Sequence, residues 1–332
     1  MSVPVACAMF VAGLAVSLAS SLVFGRKLDR VTERVGVSEG LHGLFTALGA
    51  DAPEISSAVA ALVAGRKDLG VGVVLGSNVF NLAGLLGLGA LIAGGVRIHQ
   101  HGLVLNGLPA LGVAGVATAL ILGAIGSAVA LVLVVAIVAP YVALLAVKPA
   151  QIRDLGHERP WARLLALAVA EEIEDARRDV PPGKASVDDL LTLVPSLAAI
   201  VGSSVAMVTG AAYLGDRWGV PDVVVGTLVL AALTSLPNVL TAVRLALHRR
   251  GSAVVSESLN SNTLNVIAGI SIPALFIALG TAPGTVAFSA WWLLAMTALV
   301  LGVGYARGGF GRLAGVVVVT LYAVFAAVVA IR

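Results

Sequence analysis

One short polar pattern occurs twice in this chain, each time inside sequence that is otherwise apolar. The first copy reads Ala47-Leu48-Gly49-Ala50-Asp51-Ala52-Pro53-Glu54, followed by Gly76-Ser77-Asn78-Val79-Phe80-Asn81. The second reads Ala231-Ala232-Leu233-Thr234-Ser235-Leu236-Pro237-Asn238, followed by Asn260-Ser261-Asn262-Thr263-Leu264-Asn265. A single ungapped offset of 184 residues superposes them, pairing Ala47 with Ala231, Pro53 with Pro237, Arg66 with Arg250, Ser77 with Ser261, Asn78 with Asn262 and Asn81 with Asn265. Polar residues and prolines are costly inside membrane spans, so a duplicated set marks a transport site between two related halves.

The surroundings require a membrane. With 59% hydrophobic and 12% charged residues, the composition is that of an integral membrane protein. The apolar runs are continuous, which suits helices crossing about 30 Å of hydrocarbon and not the strict alternation of barrel strands. The expected fold is all-α, with ten transmembrane helices near 3–24, 39–64, 69–94, 101–123, 127–147, 187–214, 222–247, 253–280, 285–304 and 312–331. The first span has no basic residue ahead of it and Arg26, Lys27 and Arg30 behind it, the reverse of a signal peptide, so it reads as an uncleaved anchor.

Charge sets the orientation. Of the 21 Lys and Arg residues, only Arg66, Lys67, Arg217 and Arg332 fall on the side that also carries both termini. The positive-inside rule then puts the termini outside and the 149–186 loop in the cytoplasm of a multi-pass cell-membrane protein. The net charge of +3 follows from this asymmetry, and no nucleic-acid or nucleotide partner is implied. The expected partners are the lipid bilayer and inorganic cations, and nothing in the sequence selects between a monomer and a homo-oligomer. Cys7 is the single cysteine, which excludes an intramolecular disulfide.

Five spans, a charged loop and five more spans give a first repeat over 1–148 and a second over 187–332, with the polar patterns in about 39–94 and 222–280. An odd number of spans per half makes the second enter the membrane from the opposite face, so the halves are expected to be inverted repeats. Within the loop, residues from Trp161 onward are apolar and then charged, which predicts a helix resting on the cytoplasmic surface. Its acidic run, Glu171, Glu172, Glu174 and Asp175, reads as a solvated face. Pro181-Pro182-Gly183 is expected to break that helix, and Ser186-Val187-Asp188-Asp189 to cap the next span.

Pro53 and Pro237 are expected to kink their helices and free the carbonyls of Gly49 and Leu233. Asp51 and Glu54 lie three apart on one helical face. One carboxylate at mid-bilayer costs roughly 2.5–3.5 kcal/mol on insertion scales, so two in one span point to a cation taken from solution. Ser77 and Asn81 stand four apart, as do Ser261 and Asn265, and each pair offers a hydroxyl and an amide oxygen one turn apart, ligands suited to Na⁺ or Ca²⁺. Asn78 and Asn262 are turned elsewhere and read as bracing contacts. Glu257, one turn before Ser261, is either part of the ion pathway or a loop-end carboxylate near Arg249 and Arg250. His42, His99, His101, His157 and His248 all fall at span ends or in loops and read as interfacial.

The two copies resemble the alpha-repeats of the cation/calcium exchanger superfamily, the sodium/calcium exchanger group. Those repeats carry a Gly-Thr-Ser-x-Pro-Glu core and then Gly-Ser-Asn-x-x-Asn. Pro53, Glu54, Gly76, Ser77, Asn78 and Asn81 keep the first pattern, and Thr234, Ser235, Pro237, Ser261, Asn262 and Asn265 keep the second. The departures are Ala50 for Thr, Asp51 for Ser, Asn238 for the second acid, and Leu233 and Asn260 for Gly. Two carboxylates therefore remain, both on the second span.

The resemblance implies secondary cation antiport by alternating access, with the first and sixth spans sliding past the others. Asp51 and Glu54 would supply charge. Ser77, Asn81, Thr234, Ser235, Asn238, Ser261 and Asn265 would supply neutral oxygens, with Ala47 and Ala231 counted in the same set. No enzymatic activity or cofactor is expected; the cargo would be Ca²⁺ with Na⁺ or H⁺. Proton-coupled cation exchange is one alternative, and a non-transporting scaffold or sensor with the exchanger fold is another.

Overall fold

The computed structural model describes residues 1–35, 39–155, 159–176, 187–280 and 282–332. Pro181–Gly183, Ser186, His157 and the side chains of His42, Glu174 and Asp175 lie outside the described residues, and with them the expected helix break and cap. The chain opens with α1 (Val3–Val35) and α2 (Glu39–Val63). α3 (Lys67–Asn81) passes through a π-helical stretch, Leu82–Leu88, into α4 (Gly89–Ala93), and α5 (Gln100–Ile121) and α6 (Ser127–Ala146) follow. Between the halves lie α7 (Pro149–Leu155) and α8 (Pro160–Ala176).

The second half begins with α9 (Val187–Trp218), then α10 (Asp222–Val224), a π-helical stretch at Val225–Leu230, α11 (Ala231–Thr234) and α12 (Leu236–Leu247). α13 (Gly251–Val266) runs into a third π-helical stretch, Ile267–Ser271, before α14 (Gly284–Arg307) and α15 (Arg312–Ile331). Among the described residues, 7 helices are long and apolar enough to cross a membrane, or 8 if the bent pair Asp222–Thr234 and Leu236–Leu247 is one span. α2 and α13, which carry Asp51, Glu54, Ser261 and Asn265, fall outside that count.

α1 and α9 are longer than the sequence predicts, at 33 and 32 residues. At 1.5 Å per residue each reaches about 50 Å, so Gly25–Arg30, expected as a loop, is helix. The two run alongside each other, brought close by glycine. A Cβ on Gly13 would stand 2.7 Å from the Met207 nitrogen, and one on Gly210 would stand 2.6 Å from the Ala6 carbonyl oxygen. Such small-residue seams let membrane helices approach backbone to backbone. At one end of the pair Lys27 donates to Asp189 at 2.6 Å. At the opposite end of the molecule Arg66 bridges Asp216 and Asp222.

The all-α expectation needs one correction. β1 (Gly95–Arg97) and β2 (Gly309–Gly311) form a short antiparallel ladder pairing Val96 with Phe310. Each strand is entered through two glycines with positive φ, Gly94 and Gly95 at +80° and +143°, Gly308 and Gly309 at +61° and +154°. Those values are open to glycine and strained for other residues, so the turns that present the strands depend on it.

The 184-residue offset recurs in backbone geometry. Leaving α2, the nitrogens of Gly65 and Arg66 donate to the carbonyls of Leu62 and Ala61; leaving α12, those of Arg249 and Arg250 donate to Ala246 and Leu245, the matched residues. Arg249 occupies the place of Gly65 and takes the same left-handed backbone, with φ 60° against 79°. Two of the π-helical stretches also match, since each follows directly on Asn81 or close behind Asn265.

The prolines behave differently in the two copies. α2 is one continuous helix through Pro53. The matched segment breaks at Ser235 with a bend of 47°. Pro237 thereby falls in the first turn of α12, where a missing N–H costs nothing. Pro53 sits in a helix interior, and the carbonyl of Gly49, expected to be left free, instead accepts a hydrogen bond from the Ser21 hydroxyl at 3.2 Å.

α8 is where the sequence reading fails most clearly. Its helix exists, and Trp161, Leu164 and Leu167 are exposed along one side. The other side packs into the protein, with Ala162, Ala166 and Val169 fully buried and a cluster formed with Leu105, Tyr141 and Leu145. Of its acidic run, the two described side chains, Glu171 and Glu172, are not a solvated face. Glu172 is only 2% exposed, and Glu171 accepts hydrogen bonds from the Gly102 nitrogen at 2.7 Å and contacts His101 Nδ1 at 2.9 Å. A carboxylate there satisfies an orphan N–H in the first turn of α5 and meets the positive end of the helix dipole.

Candidate ion-binding site

α2, α3, α11, α12 and α13 meet in the interior and bring the two polar patterns together. Asp51 and Glu54, three apart on α2, are both buried, at 0% and 1% exposure. Most of their partners come from the other half of the chain, with Ser77 of the first half also bonded to Glu54. Asp51 Oδ1 accepts from Ser261 Oγ at 2.5 Å and from Asn238 Nδ2 at 2.8 Å. Glu54 Oε1 accepts from Ser235 Oγ at 2.5 Å, and Glu54 Oε2 from Asn265 Nδ2 at 2.5 Å. Asn238 Nδ2 also lies 3.4 Å from Glu54 Oε1, so one amide stands between the two carboxylates.

The first half adds Asn81, whose Nδ2 donates to Ser261 Oγ at 3.1 Å. Asn78 and Asn262 lie behind this layer, as the bracing reading expects. Asn78 Nδ2 donates to the Asn262 carbonyl at 3.0 Å, and Asn262 Nδ2 to the Asn78 carbonyl at 3.1 Å. Asn78 is also joined to the site, because its Oδ1 accepts from Asn265 Nδ2 at 3.2 Å.

These hydrogen bonds come from neutral hydroxyls and amides. A buried carboxylate is costly unless it is paired, and its usual partner in a protein interior is a basic side chain or a metal. Four buried oxygens in the same cluster accept no hydrogen bond: Asp51 Oδ2, Asn81 Oδ1, Asn238 Oδ1 and Asn265 Oδ1. Each has lone pairs and no proton to give. Two carboxylates and a set of amide and hydroxyl oxygens form a hard-donor arrangement suited to Na⁺ or Ca²⁺.

Ser77 and Thr234 are both fully buried, and Ser77 is also a hydrogen-bond partner of Glu54. Ser77 Oγ donates to the Val74 carbonyl at 3.1 Å, and Thr234 Oγ1 to the Leu230 carbonyl at 2.9 Å. The Thr234 hydroxyl proton is thus directed along its own helix, whereas that of Ser77 has both the Val74 carbonyl and Glu54 within reach. Ala47 and Ala231 are buried one turn ahead on the same segments, and the Ala231 carbonyl already accepts the Ser235 N–H at 3.1 Å. Glu257 is half-buried on α13, one turn from Ser261.

The sequence reading missed a second buried polar cluster, next to the first. Glu172 Oε2 accepts from Asn106 Nδ2 at 2.6 Å and Ser256 Oγ at 2.8 Å. The Tyr141 hydroxyl lies 2.5 Å from Asn106 Oδ1 and 2.6 Å from Asn260 Oδ1. Two signals pointed here: a lone Asn106 in an apolar span, and polar Ser256 and Asn260 at the places matched to Gly72 and Gly76.

Comparison with known proteins gives the family. The model of the family described as "Sodium/calcium exchanger protein" matches residues 5–148 and 189–331. The sodium/calcium exchanger MaX1 of Methanosarcina acetivorans is 30% identical over 137 residues, covering 41% of this chain and 39% of that protein. Sodium/potassium/calcium exchanger 4 of Mus musculus is 32% identical over 146 residues, covering 41% of this chain and 23% of its own length. The alignments therefore span well under half of these relatives. In fold, the chain superposes on the sodium-calcium exchanger NCX_Mj, solved after soaking with Na⁺ and Sr²⁺, with a TM-score of 0.60 at 20% identity, covering 98% of this chain and 99% of that one. With the family model matched across both halves, the chain belongs to the sodium/calcium exchanger protein family.

Proposed function

We propose that this protein is a secondary active cation antiporter, of the sodium/calcium-exchanger kind, that works by alternating access. The observation that carries this reading is the pair of buried carboxylates, Asp51 and Glu54, held by neutral donors and surrounded by four oxygens that accept no hydrogen bond. Two negative charges match one Ca²⁺ or two Na⁺. Ser77, Asn81, Thr234, Ser235, Asn238, Ser261 and Asn265 supply neutral oxygens, with Ala47 and Ala231 lining the same segments. Glu257 stands on the cytoplasmic approach.

The ten spans form two inverted five-helix repeats, 1–148 and 187–332. The matched turns at Gly65 and Arg249 support that reading. Both termini lie outside the cell membrane and the 149–186 segment lies in the cytoplasm, in keeping with the distribution of Lys and Arg. α1 and α9, packed along each other through glycine, are the pair suited to slide. MaX1 and NCX_Mj are sodium/calcium exchangers by name, and Na⁺ and Ca²⁺ are the cargo proposed here.

A second reading is proton coupling, favoured by the closeness of the two buried carboxylates, which lie within reach of one shared amide. Acids so close can share a proton in place of a metal ion. Flux measurements on purified protein in liposomes, with Na⁺ and pH gradients imposed separately, decide between them. Ca²⁺ uptake driven by Na⁺ supports the first; uptake driven by pH alone supports the second. No flux of Ca²⁺, Na⁺ or H⁺ under either gradient rejects antiport.

A further inference from the structure

The two halves close against their neighbours differently on the two sides of the site. On α3, Gly72 and Gly76 lie directly against the stretch Val225–Leu230: a Cβ on Gly76 would stand 2.2 Å from the Thr227 carbonyl oxygen, and one on Gly226 would stand 2.2 Å from the Leu69 carbonyl oxygen. Backbone meets backbone there and no side chain is needed. On α13 the matched positions are Ser256 and Asn260, and the side chains facing them are Glu172 from α8, Asn106 from α5 and Tyr141 from α6. Glu172 thus reaches into the bundle from the segment between the halves, and Asn260 is the chain neighbour of Ser261, which binds Asp51.

All five side chains of this cluster are buried, with exposures between 2% and 7%. Burial raises the carboxyl of Glu172 above its ordinary range, and the hydrogen bonds from Asn106, Ser256 and Asn260 oppose that shift. Glu171 fixes the neighbouring turn of α8 on the start of α5. A helix meant only to rest on a membrane surface has no reason to place a carboxyl in such a pocket, where each missing partner would cost about 1–3 kcal/mol.

We propose that Glu172 is a gate residue of the ion pathway: supplied by the helix between the halves, it closes the cytoplasmic route beside Ser256 and Asn260, as backbone contact closes the outer route beside Gly72 and Gly76. This rests on the antiport reading for its direction. It assigns the polar residues at 256 and 260 a role, since glycine there would take the Ser256 donor from Glu172 and the Asn260 acceptor from Tyr141, leaving Asn106 to serve both. Glu172 acts on access and does not hold the ion.

The test reads access directly. In a Cys7→Ser background, which removes the single cysteine, Ser261→Cys is labelled with a membrane-impermeant thiol reagent applied from the cytoplasmic side. Adding Glu172→Ala or Asn260→Gly is expected to speed labelling about tenfold, the effect of losing one charge-assisted hydrogen bond. Glu172→Gln, which keeps the shape and an acceptor oxygen, stays near the starting rate. Unchanged labelling in both Glu172→Ala and Asn260→Gly overturns the proposal. If Glu172→Ala is not monodisperse after purification, Asn260→Gly alone decides. Flux is measured in parallel on chains that keep Ser261: faster labelling without flux in the wild type rejects antiport and keeps the gate, whereas flux with unchanged labelling rejects the gate and keeps antiport.

Discussion

Asn78 and Asn262 bind each other by the same hydrogen bond in both directions, each amide nitrogen donating to the other's backbone carbonyl at 3.0 and 3.1 Å. They stand at matched places in the two polar patterns. A reciprocal contact between equivalent residues is what the proposed two-fold relation between the copies would produce. Replacing either residue by Ala leaves one buried carbonyl without this donor. Asn78→Ala and Asn262→Ala should each lower stability by about 1–3 kcal/mol, and by similar amounts. Thermal unfolding in detergent checks this; losses that differ several-fold would show that the contact is not symmetric in energy.

Moving the charge is a stricter test of the site. Asn238 Nδ2 lies between Asp51 Oδ1 and Glu54 Oε1, so Asn238→Asp adds a third carboxylate and should cut flux at least about tenfold through like-charge repulsion. Adding Asp51→Asn restores the count, and the double variant should recover most of the activity. Flux no better than in the Asn238→Asp single variant would separate the site from simple charge counting. Asp51→Ser or Glu54→Gln alone should abolish transport, whereas Asn238→Ala should only weaken it.

Ca²⁺ itself should stabilise the purified protein. At a hundred times its dissociation constant a ligand adds about 2.7 kcal/mol to the folded state. Titrating Ca²⁺ while following the unfolding temperature should show this in the wild type and not in Glu54→Gln. An equal rise in both would place Ca²⁺ elsewhere.

Arg249 is the one non-glycine residue with positive φ among the described residues, and its counterpart is Gly65. A left-handed backbone costs a residue with a Cβ roughly 1–2 kcal/mol. Arg249→Gly should therefore raise stability, by about 1 kcal/mol, with unfolding as the readout. A loss would mean that the side chain makes a contact worth more than the strain.

Gly76 permits no side chain. A Cβ would stand 2.2 Å from the Thr227 carbonyl oxygen and 2.6 Å from its Cα. Gly76→Ala should destabilise by about 1–3 kcal/mol through overpacking. Gly25→Ala, where a Cβ meets nothing within 4 Å, is the control and should be nearly neutral.

The residues that meet at the site were legible because each copy of the pattern vouches for the other. Two serines and two asparagines at matched spacing have one economical explanation, and the structure brings Asn81, Ser261 and Asn265 into one cluster with Asp51, Glu54, Ser235 and Asn238. The break at Ser235 was not legible. Pro53 and Pro237 look alike in sequence, yet one continues a helix and the other starts one, because the turn forms two residues ahead of Pro237. Nor was the burial of Glu172. Its partners Asn106 and Ser256 lie 66 and 84 residues away, and a run of acids beside arginines looks the same whether one member is solvated or enclosed.

By itself the sequence determined the membrane class, the duplication and the two carboxylates. Those follow from hydropathy and from local repetition, which need no knowledge of what packs where. Only the tertiary structure decided how the second copy compensates for the acid it lacks. Asn238 donates to both carboxylates of the first copy, and Glu172 finds its donors on Asn106 and Ser256. The reason is physical: a buried polar group is stable only with its partners, and here those partners come from distant segments that only the packing of helices brings together.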